Sequence, residues 1–262
     1  MMDATLRRTF LEQYAAIRHA EGRGSDDAAY YRTLPYRDLS GRNGEQWKIR
    51  ARSFHHLLRR VIRPMEERLA RPLDVLDLGA GNGWLSWRLA ARGHRVIPLD
   101  IFTDDRDGLG AIRKYSRLSA VAADFDRLPF PDGSFDLAVY NASLHYSPDY
   151  SRTLQEALRC LRRSGEIVIL DSPVYAVAEH GERMRRERQE FFERTYGFRS
   201  EALGSIEYLD RVALARLGNE LGIRWKLTRP WYGFRWTLRP LAARLRGRRP
   251  PSEFFVITGG IA

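Results

Sequence analysis

A glycine-rich loop carries the clearest chemistry in this chain. It reads D-L-G-A-G-N-G from Asp77 to Gly83 and joins a predicted strand to a predicted helix. Glycines at such a junction let the backbone turn sharply and let a ligand approach closely, and the start of the helix offers unpaired N–H groups to an anion. Asp100 ends the second predicted strand, where a Rossmann-like fold holds ribose hydroxyls. The pattern predicts a nucleotide-type binding site.

The spacing of these glycines argues against a dinucleotide. A dinucleotide loop has the form G-x-G-x-x-G, whereas this loop has G-x-G-x-G followed by the bulky Trp84. The phosphate-binding pattern G-x-x-x-x-G-K-[ST] does not occur in the loop either. The site is therefore expected to take a single nucleoside unit.

Strands alternate with helices through the middle of the chain. Apolar runs predict strands at 73–78, 95–100, 120–123, 135–141 and 167–171. Helical patterns lie between them, and Ser164 and Gly165 are predicted to end the last helix of this region with a turn. Strands this apolar predict a parallel sheet with helices on both faces.

Helical patterns dominate the flanks. The sequence predicts helices over 5–22, 47–69 (broken or kinked at Pro64), 179–196 and 209–220, a loop over 23–46, and strands over 223–229 and 253–259. A further helix should begin near Pro240. Its apolar stripe comprises Leu238, Leu241, Ala242 and Leu245. The stripe is predicted to pack on the sheet. Contact with an anionic membrane is the alternative, because Arg239, Arg244, Arg246, Arg248 and Arg249 lie beside it.

Four motifs over residues 73–172 resemble the class I S-adenosylmethionine-dependent methyltransferases. The loop resembles their D-x-G-x-G-x-G motif, and Asp100-Ile101 their acidic–hydrophobic pair. Ala123-Asp124-Phe125 matches the position after the third strand, where the family's acid reads the adenine amino group. The runs L-P-F-P-D-G-S-F-D (128–136) and L-Q-E-A-L-R-C-L-R-R-S-G-E (154–166) resemble two later motifs. The resemblance is to the small-molecule branch, which includes ubiquinone and menaquinone methyltransferases.

The resemblance implies a fold and a division of the chain. The fold is α/β, a Rossmann-like sheet of seven strands with helices on both faces and a helical cap. Residues 73–172 would form the cofactor-binding core, 1–72 and 173–222 the cap, and 223–262 the last strands of the sheet, a hairpin that includes the antiparallel strand.

The resemblance also implies a cofactor site. The cofactor would be S-adenosylmethionine, and the product S-adenosylhomocysteine. The loop backbone would meet the amino acid end, Asp77 the ammonium, Asp100 the ribose and Asp124 the adenine. The predicted cofactor-binding residues are Asp77, Gly79, Ala80, Gly81, Asn82, Gly83, Asp100, Ile101, Asp124, Phe125 and Asn141. No metal is expected, since the acidic run Asp104–Asp107 lacks the calcium-loop pattern and resembles a solvated turn.

The end of the fourth strand bears on the acceptor. Enzymes of this family that methylate base amines share an [N/D/S]-P-P-[Y/F] run there, whereas this chain has Asn141-Ala142-Ser143-Leu144 without proline. A small-molecule acceptor is therefore expected, methylated by direct displacement in a capped pocket. His145 is the candidate general base for an acceptor that must lose a proton, and a packing role is the alternative.

The net charge of +11 is unevenly distributed. Residues 1–73 carry +6, 74–172 carry −2 and 173–262 carry +7. An Arg-rich cap would suit an anionic acceptor. An RNA methyltransferase, a non-catalytic cofactor-binding protein and an arginine-rich coding bias, since 41 of the 44 basic residues are arginine, remain alternatives.

Both flanks also contain aromatic residues among their basic ones. In the family that the chain resembles, these flanks form the cap over the acceptor. The candidate cap residues are Tyr30, Tyr31, Tyr36, Trp47, Arg50, Arg52, His55, His56, Tyr175, Tyr196, Trp231, Tyr232 and Trp236. Packing in the core is the alternative for each of them.

The cellular compartment is inferred from the absence of two kinds of apolar run. The start of the chain has no apolar run of signal-peptide length, and no stretch approaches the ~18 apolar residues of a membrane span. A cytoplasmic location is expected. Peripheral membrane contact and the oligomeric state stay open.

Overall fold

This computed structural model describes residues 4–261. The centre of the fold is a sheet of seven strands. Its first five strands are β1 (Asp74–Leu78), β2 (Arg95–Asp100), β3 (Val121–Ala122), β4 (Phe135–Asn141) and β5 (Leu161–Leu170). Short strands β6 (Val174–Tyr175) and β7 (Leu209–Asp210) pair separately, and β8 (Ile223–Thr228) and β9 (Val256–Ile261) complete the main sheet. The predicted number of strands in the main sheet is confirmed.

The order across the sheet is β3-β2-β1-β4-β5-β9-β8. All neighbours pair in parallel except β9, which is antiparallel to both β5 and β8, so the predicted antiparallel hairpin is confirmed. The strand order reverses direction between β1 and β4. In open α/β sheets, ligands bind at the carboxyl ends of the strands beside such a reversal.

Ten helices occur among the described residues. They are α1 (Ala4–Ala20), α2 (Ala28–Thr33), α3 (Gly44–Leu57), α4 (Arg63–Leu69), α5 (Trp84–Ala90), α6 (Tyr150–Cys160), α7 (Ala178–Tyr196), α8 (Arg211–Leu221), α9 (Phe234–Thr237) and α10 (Arg239–Leu245). Asp149 and Asp210 begin α6 and α8 by accepting hydrogen bonds from backbone N–H groups of the first turn. Gly197 and Gly222 end α7 and α8 in the left-handed conformation.

Alternation along the strands builds a core on each face of the sheet. Val75, Leu137 and Val139 belong to the core beneath α3 and α5. Their neighbours in sequence, such as Leu76 and Ala138, belong to the core beneath α6 and α8. Both faces are therefore covered, as the apolar strands predict.

Three local predictions are wrong or incomplete. The predicted loop over 23–46 contains α2, because Asp27 accepts a hydrogen bond from the N–H of Ala29 at 2.8 Å and starts a helix there. Ser164 and Gly165 do not end a helix; α6 ends at Cys160, and the pair lies in a bulge of β5. The helix with Pro64 is not broken, since a π turn over Leu58–Ile62 accommodates the missing N–H.

The stripe predicted to pack on the sheet does not pack there. The helix begins just before Pro240, as expected, but Leu238, Leu241 and Leu245 are exposed and α10 has no buried residue. Residues of α6 and α8 form the core on that face of the sheet instead. The sequence could not reveal which helices cover it, since each of them has an apolar stripe.

Candidate active site

A cavity of about 950 Å³ opens at the carboxyl edge of the sheet. Its floor is the glycine-rich loop with the ends of β2, β4 and β5, and its walls come from α1, α3 and α7. Of the predicted site residues, it is lined by Gly79, Ala80, Gly81, Asn82, Asp100, Ile101, Asp124, Phe125, Asn141 and His145. Asp77 and Gly83 do not line it.

Two glycines of the loop allow no side chain. Gly79 has φ +74°, and a Cβ there would lie 2.3 Å from the Cβ of Ser143. Gly83 has φ +73°, and a Cβ would lie 2.6 Å from Ile112. The N–H groups of Gly79 and Ala80 both donate to the carbonyl of Leu99, at 2.8 and 3.0 Å. The loop is thereby folded tightly against the end of β2, beside Asp100.

Asp100 joins the loop to the second strand. One carboxylate oxygen accepts a hydrogen bond from the N–H of Gly81 at 2.8 Å, and the other accepts from Phe102 at 2.9 Å. Burial raises the pKa of this carboxyl, and the backbone N–H groups oppose that rise. Each oxygen keeps a further lone pair. Asp100 is thus fixed in place with acceptor capacity toward a diol.

The remaining predicted contacts lie on two other strands. Asp124 and Phe125 follow β3, and the ring of Phe125 lies edge-on to Tyr140 at 5.9 Å between centroids. Asn141 ends β4, and its Oδ1 is buried without a hydrogen-bond partner among residues 4–261. A hydrogen-bond acceptor without a partner at the cavity wall favours a ligand that donates a hydrogen bond.

Asp77 lies beneath the loop and outside the cavity wall. Its Oδ2 accepts from the hydroxyl of Ser86 at 2.6 Å, while its Oδ1 has no partner in the described part of the chain. Complete burial raises its pKa to about 7. This geometry favours support of the loop over direct contact, and its role toward a ligand stays a prediction.

His145 lies at the cavity, after the end of β4. Its Nδ1 is 3.2 Å from the hydroxyl of Ser172, and its ring is 4.5 Å from that of Tyr146. Burial, and then the charges of Arg188 and Arg50, lower its pKa to about 3. The imidazole is therefore neutral at pH 7 and accepts a proton only weakly. The general-base role stays a prediction.

Helix α1 contributes a wall that sequence reasoning missed. Phe10, Tyr14, Ile17 and Arg18 line the cavity from one face of this helix. Tyr14 meets the rings of Phe102 and Tyr146 edge-on, at 5.0 and 5.7 Å. The i, i+4, i+7, i+8 spacing of these four was visible in the sequence, but it marks only an amphipathic helix and not what the helix covers.

A group of buried or half-buried arginines lines the cavity. Arg18 pairs with Asp107, Arg23 with Glu21 at 2.5 Å, and Arg188 with Glu207 at 3.4 Å. These three arginines come from α1, the segment after it, and α7. None of them was a candidate from sequence, because their distance from the glycine-rich loop along the chain hides their place at the cavity.

Arg50, which was a candidate, differs from these neighbours. Its guanidinium has no hydrogen bond or ion pair with any residue of 4–261, and it lies over the ring of Trp47 at 5.0 Å. Burial, and then the charge of Arg23, lower its pKa, while Asp171 opposes the change. A half-buried cation without an ion pair or hydrogen bond favours an anionic ligand.

Asp171, at the end of β5, was also missed. Its Oδ1 accepts from the hydroxyl of Ser53 at 2.5 Å, and that hydroxyl lies 2.8 Å from the Tyr232 hydroxyl. Its Oδ2 has no hydrogen-bond partner within the described ranges, and burial raises its pKa. An acid at the end of a predicted strand was a usable signal, since strand ends form this edge of the sheet.

The acidic run after β2, predicted to be a solvated turn, is only partly one. Asp104 accepts hydrogen bonds from two backbone N–H groups of the turn, but Asp107 is buried between Arg18 and the side-chain amide of Asn82. Across residues 4–261, no cluster of three or more His, Cys, Asp or Glu side chains is placed to hold a metal ion. Asp107 therefore ties α1 to the loop.

The flank aromatics serve mainly as core. Tyr31 stacks on Tyr115 at 5.0 Å between centroids, and the Tyr115 hydroxyl donates to the carbonyl of Asn82 at 2.5 Å. Of the aromatic and basic cap candidates named from sequence, Arg50 alone lines the cavity within residues 4–261. Tyr31 and Tyr115 thus support the loop from the side away from the cavity.

Comparison with known proteins agrees with this architecture. Residues 76–169 match a family profile described as a methyltransferase domain. Residues 76–169 form a methyltransferase domain. This matched stretch begins in β1 and ends just before the end of β5. It includes the glycine-rich loop, Asp100, Asp124, Asn141 and His145.

Two of the curated relatives match part of this chain. The chain is 35% identical over 102 residues to a sarcosine/dimethylglycine N-methyltransferase of Halorhodospira halochloris, covering 37% of each chain. It is 40% identical over 105 residues to a demethylmenaquinone methyltransferase of Beutenbergia cavernae, covering 39% of this chain and 42% of the relative. The match thus spans about two fifths of each relative's length.

A solved structure extends the likeness in fold beyond the methyltransferase domain. A 1,6-didemethyltoxoflavin-N1-methyltransferase of Burkholderia thailandensis, solved with 1,6-didemethyltoxoflavin and S-adenosylhomocysteine, superposes with a TM-score of 0.51. The match covers 95% of this chain and 88% of that one at 20% identity. The Rossmann-like fold predicted from sequence is confirmed.

Proposed function

We propose that this chain transfers the methyl group of S-adenosylmethionine to a small anionic acceptor. The observation that carries the proposal is one cavity that is lined both by a nucleotide-type loop with Asp100 and Asp124 and by Arg50 with its basic neighbours. In the proposal the first group is the cofactor end of the cavity, and Arg50 with its basic neighbours is the basic end. A volume of about 950 Å³ is at the upper end of ligand sites and accommodates a cofactor with a small second molecule.

The residues at the first end fit S-adenosylmethionine. Asp100 offers two carboxylate oxygens to the ribose, and the apolar Ile101 and Phe125 flank the place proposed for the adenine. Asp124 accepts from the adenine amino group, and the unpartnered Oδ1 of Asn141 accepts a hydrogen bond from the cofactor. The loop meets the amino acid end. When bound, the cofactor supplies a methyl group already activated by its sulfonium centre.

The basic end selects the acceptor by charge. Arg50 has no ion pair among the described residues. Arg188 is a second cation nearby, since its charge and that of Arg50 both lower the pKa of His145. A carboxylate or phosphate near the reacting atom would satisfy Arg50 and fix the orientation of the acceptor. Since direct displacement requires alignment above all, such positioning supplies much of the rate.

Two side chains differ in their capacity to remove a proton from the acceptor. The lowered pKa of His145 makes it a weak base, whereas burial raises the pKa of Asp171 and strengthens its carboxylate as a base. Asp171 also has an unpartnered oxygen and lines the cavity. We therefore assign proton removal, for an acceptor that requires it, to Asp171 in preference to His145.

The acceptor class can be tested with matched compounds. The full chain is incubated with S-adenosylmethionine and with small carboxylates or phosphates, each paired with its neutral amide or ester, and methylated product is measured by mass spectrometry. We expect product from anions and little from their neutral partners. Equal methylation of both, or methylation of RNA instead, would contradict an anionic small-molecule acceptor.

Arg50→Gln tests the basic end directly. We expect the acceptor KM to rise roughly tenfold or more, because a charge-assisted contact is lost, with cofactor Kd unchanged within about twofold. Arg8→Gln, at an exposed position of α1, is the matched control. An unchanged acceptor KM in Arg50→Gln would remove this residue from the acceptor site.

A further inference from the structure

Five large apolar side chains are exposed together between β8 and β9. Phe234 and Leu245 are 78% and 80% exposed, and the other three are more than half exposed. We call this group the C-terminal apolar face; it comprises Trp231, Phe234, Leu238, Leu241 and Leu245. Apolar side chains scattered singly are ordinary on a protein surface, but a contiguous group indicates an interaction site.

The backbone holds these side chains on one side of a helical run. The N–H of Leu238 donates to the carbonyl of Phe234, and that of Ala242 to Leu238, both at 3.0 Å, so α9 and α10 follow each other almost without interruption. The spacing of four, three and four residues from Phe234 to Leu245 then places them on the same face. Trp231 joins them through its ring, 5.1 Å from that of Phe234.

Polar and aromatic contacts fix the opposite side of the segment to the protein. Arg52 donates to the carbonyl of Tyr232, and the buried Tyr232 hydroxyl lies 2.8 Å from that of Ser53. Trp236 meets the ring of Phe254 at 5.3 Å. Phe254 itself lines the cavity. The apolar face is thus anchored beside the cavity with its side chains directed outward.

The charge around this face has one sign. Residues 230–252 contain six arginines and no acidic residue. Arg249 pairs with Glu187, and Arg239 lies over the Trp236 ring. The other four are exposed and have no ion pair within residues 4–261; they are Arg235, Arg244, Arg246 and Arg248.

We propose that the C-terminal apolar face docks on an anionic lipid bilayer. Apolar side chains enter the boundary between headgroups and acyl chains, tryptophan favours that boundary, and the free arginines meet anionic headgroups. A second copy of the chain fits less well, because a symmetric contact would bring the same unpaired arginines against each other. The proposal goes beyond the methyl transfer proposed above and does not depend on it.

Vesicle sedimentation of the full chain tests the docking without cofactor or acceptor. The probes are vesicles of phosphatidylcholine alone and of phosphatidylcholine with about one third phosphatidylglycerol. We expect binding to the anionic vesicles, weakened by salt, and little to the neutral ones. Equal binding to both, or to neither, would overturn the proposal.

Two matched pairs of variants locate the binding on this face. Phe234→Ser with Leu245→Ser should reduce the partition coefficient of the protein for anionic vesicles roughly tenfold or more. The control pair, Phe191→Ser with Val212→Ser, is exposed elsewhere and should leave that coefficient unchanged. Arg244→Glu with Arg246→Glu should also abolish most binding, while Arg113→Glu with Arg117→Glu, near the β3 edge of the sheet, should not. All four substituted pairs lie at exposed positions, and thermal unfolding checks that each variant folds.

Two further results would overturn the proposal in different ways. If both charge variants lose binding equally, the overall charge of the protein attracts the vesicles and the proposed face is wrong. If the protein is a dimer without lipid and Phe234→Ser with Leu245→Ser makes it monomeric, the face joins two copies and the proposal fails. A monomer that keeps its selective binding only when this face is intact would support it.

Discussion

Asp100 has the most specific role at the scale of single residues. It both fixes the glycine loop through the Gly81 N–H and offers its outer lone pairs to the cavity. We expect Asp100→Ala to weaken S-adenosylmethionine binding about 10- to 100-fold, because charge-assisted hydrogen bonds to two hydroxyls are lost. Calorimetric titration measures this, with Asp105→Ala, an exposed acid on the same segment, as control. Equal affinity in the two variants would refute the ribose role.

The raised pKa of Asp77 predicts that folding stability depends on pH. Its pKa is about 7 in the folded protein, above the ordinary value of 3.8, so the folded state holds a proton that the unfolded state releases. Folding stability is therefore lost through this group as pH rises from about 4 to about 7. Asp77→Asn, which keeps an acceptor for Ser86, should be more stable than wild type at pH 8 by up to about 4 kcal/mol.

Thermal unfolding of wild type and Asp77→Asn across this pH range checks that linkage. The difference between the two should be largest near pH 8 and should shrink toward pH 4. A difference independent of pH would mean that the carboxyl ionises normally within the fold, and that burial beneath the loop has no electrostatic cost.

At the scale of elements, Asp136 joins β1, β4 and β5. It accepts from both guanidinium nitrogens of Arg71 at 2.7 Å, from the N–H of Asp74 at 2.8 Å, and pairs with Arg162 at 2.9 Å. Burial alone would raise its pKa, but these donors lower it to about 2. A depressed pKa means stability that is present above about pH 4 and lost as pH falls toward 2.

Asp136→Asn should therefore lower the free energy of unfolding at pH 7 by roughly 1–3 kcal/mol, part of the effect being screened at the half-exposed Arg71. Denaturant unfolding at pH 7 and near pH 2.5 measures it, with Asp132→Asn, an exposed acid in the preceding turn, as control. A loss of equal size at both pH values would show that shape, and not charge, carries the effect.

The elements also separate what the sequence could predict from what it could not. The core strands were predictable, because apolar runs bounded by glycines and acids depend on local pattern. The cavity walls were not, since Arg188 on α7 and Tyr14 on α1 approach Asp100 only through long-range packing. Tyr31 and Trp47 were misleading in the same way: aromatic residues in a basic flank suggest a substrate cap, but burial assigns them to the core.

At the scale of the whole molecule, the excess positive charge lies in two regions. Part of it lines the cavity, as Arg18, Arg23, Arg50 and Arg188. Another part lies beside the C-terminal apolar face. The domain core, which carries −2 over residues 74–172, has no share in the excess. None of the described helices is long and apolar enough to cross a bilayer.

The methyl transfer proposed for this protein depends on cofactor binding at the glycine loop. Calorimetric titration of the purified full chain with S-adenosylmethionine and with S-adenosylhomocysteine tests this most directly. We expect both to bind, one molecule per chain, and to compete for the same site. A folded protein that gives no binding heat and no thermal stabilisation with either compound would contradict the account.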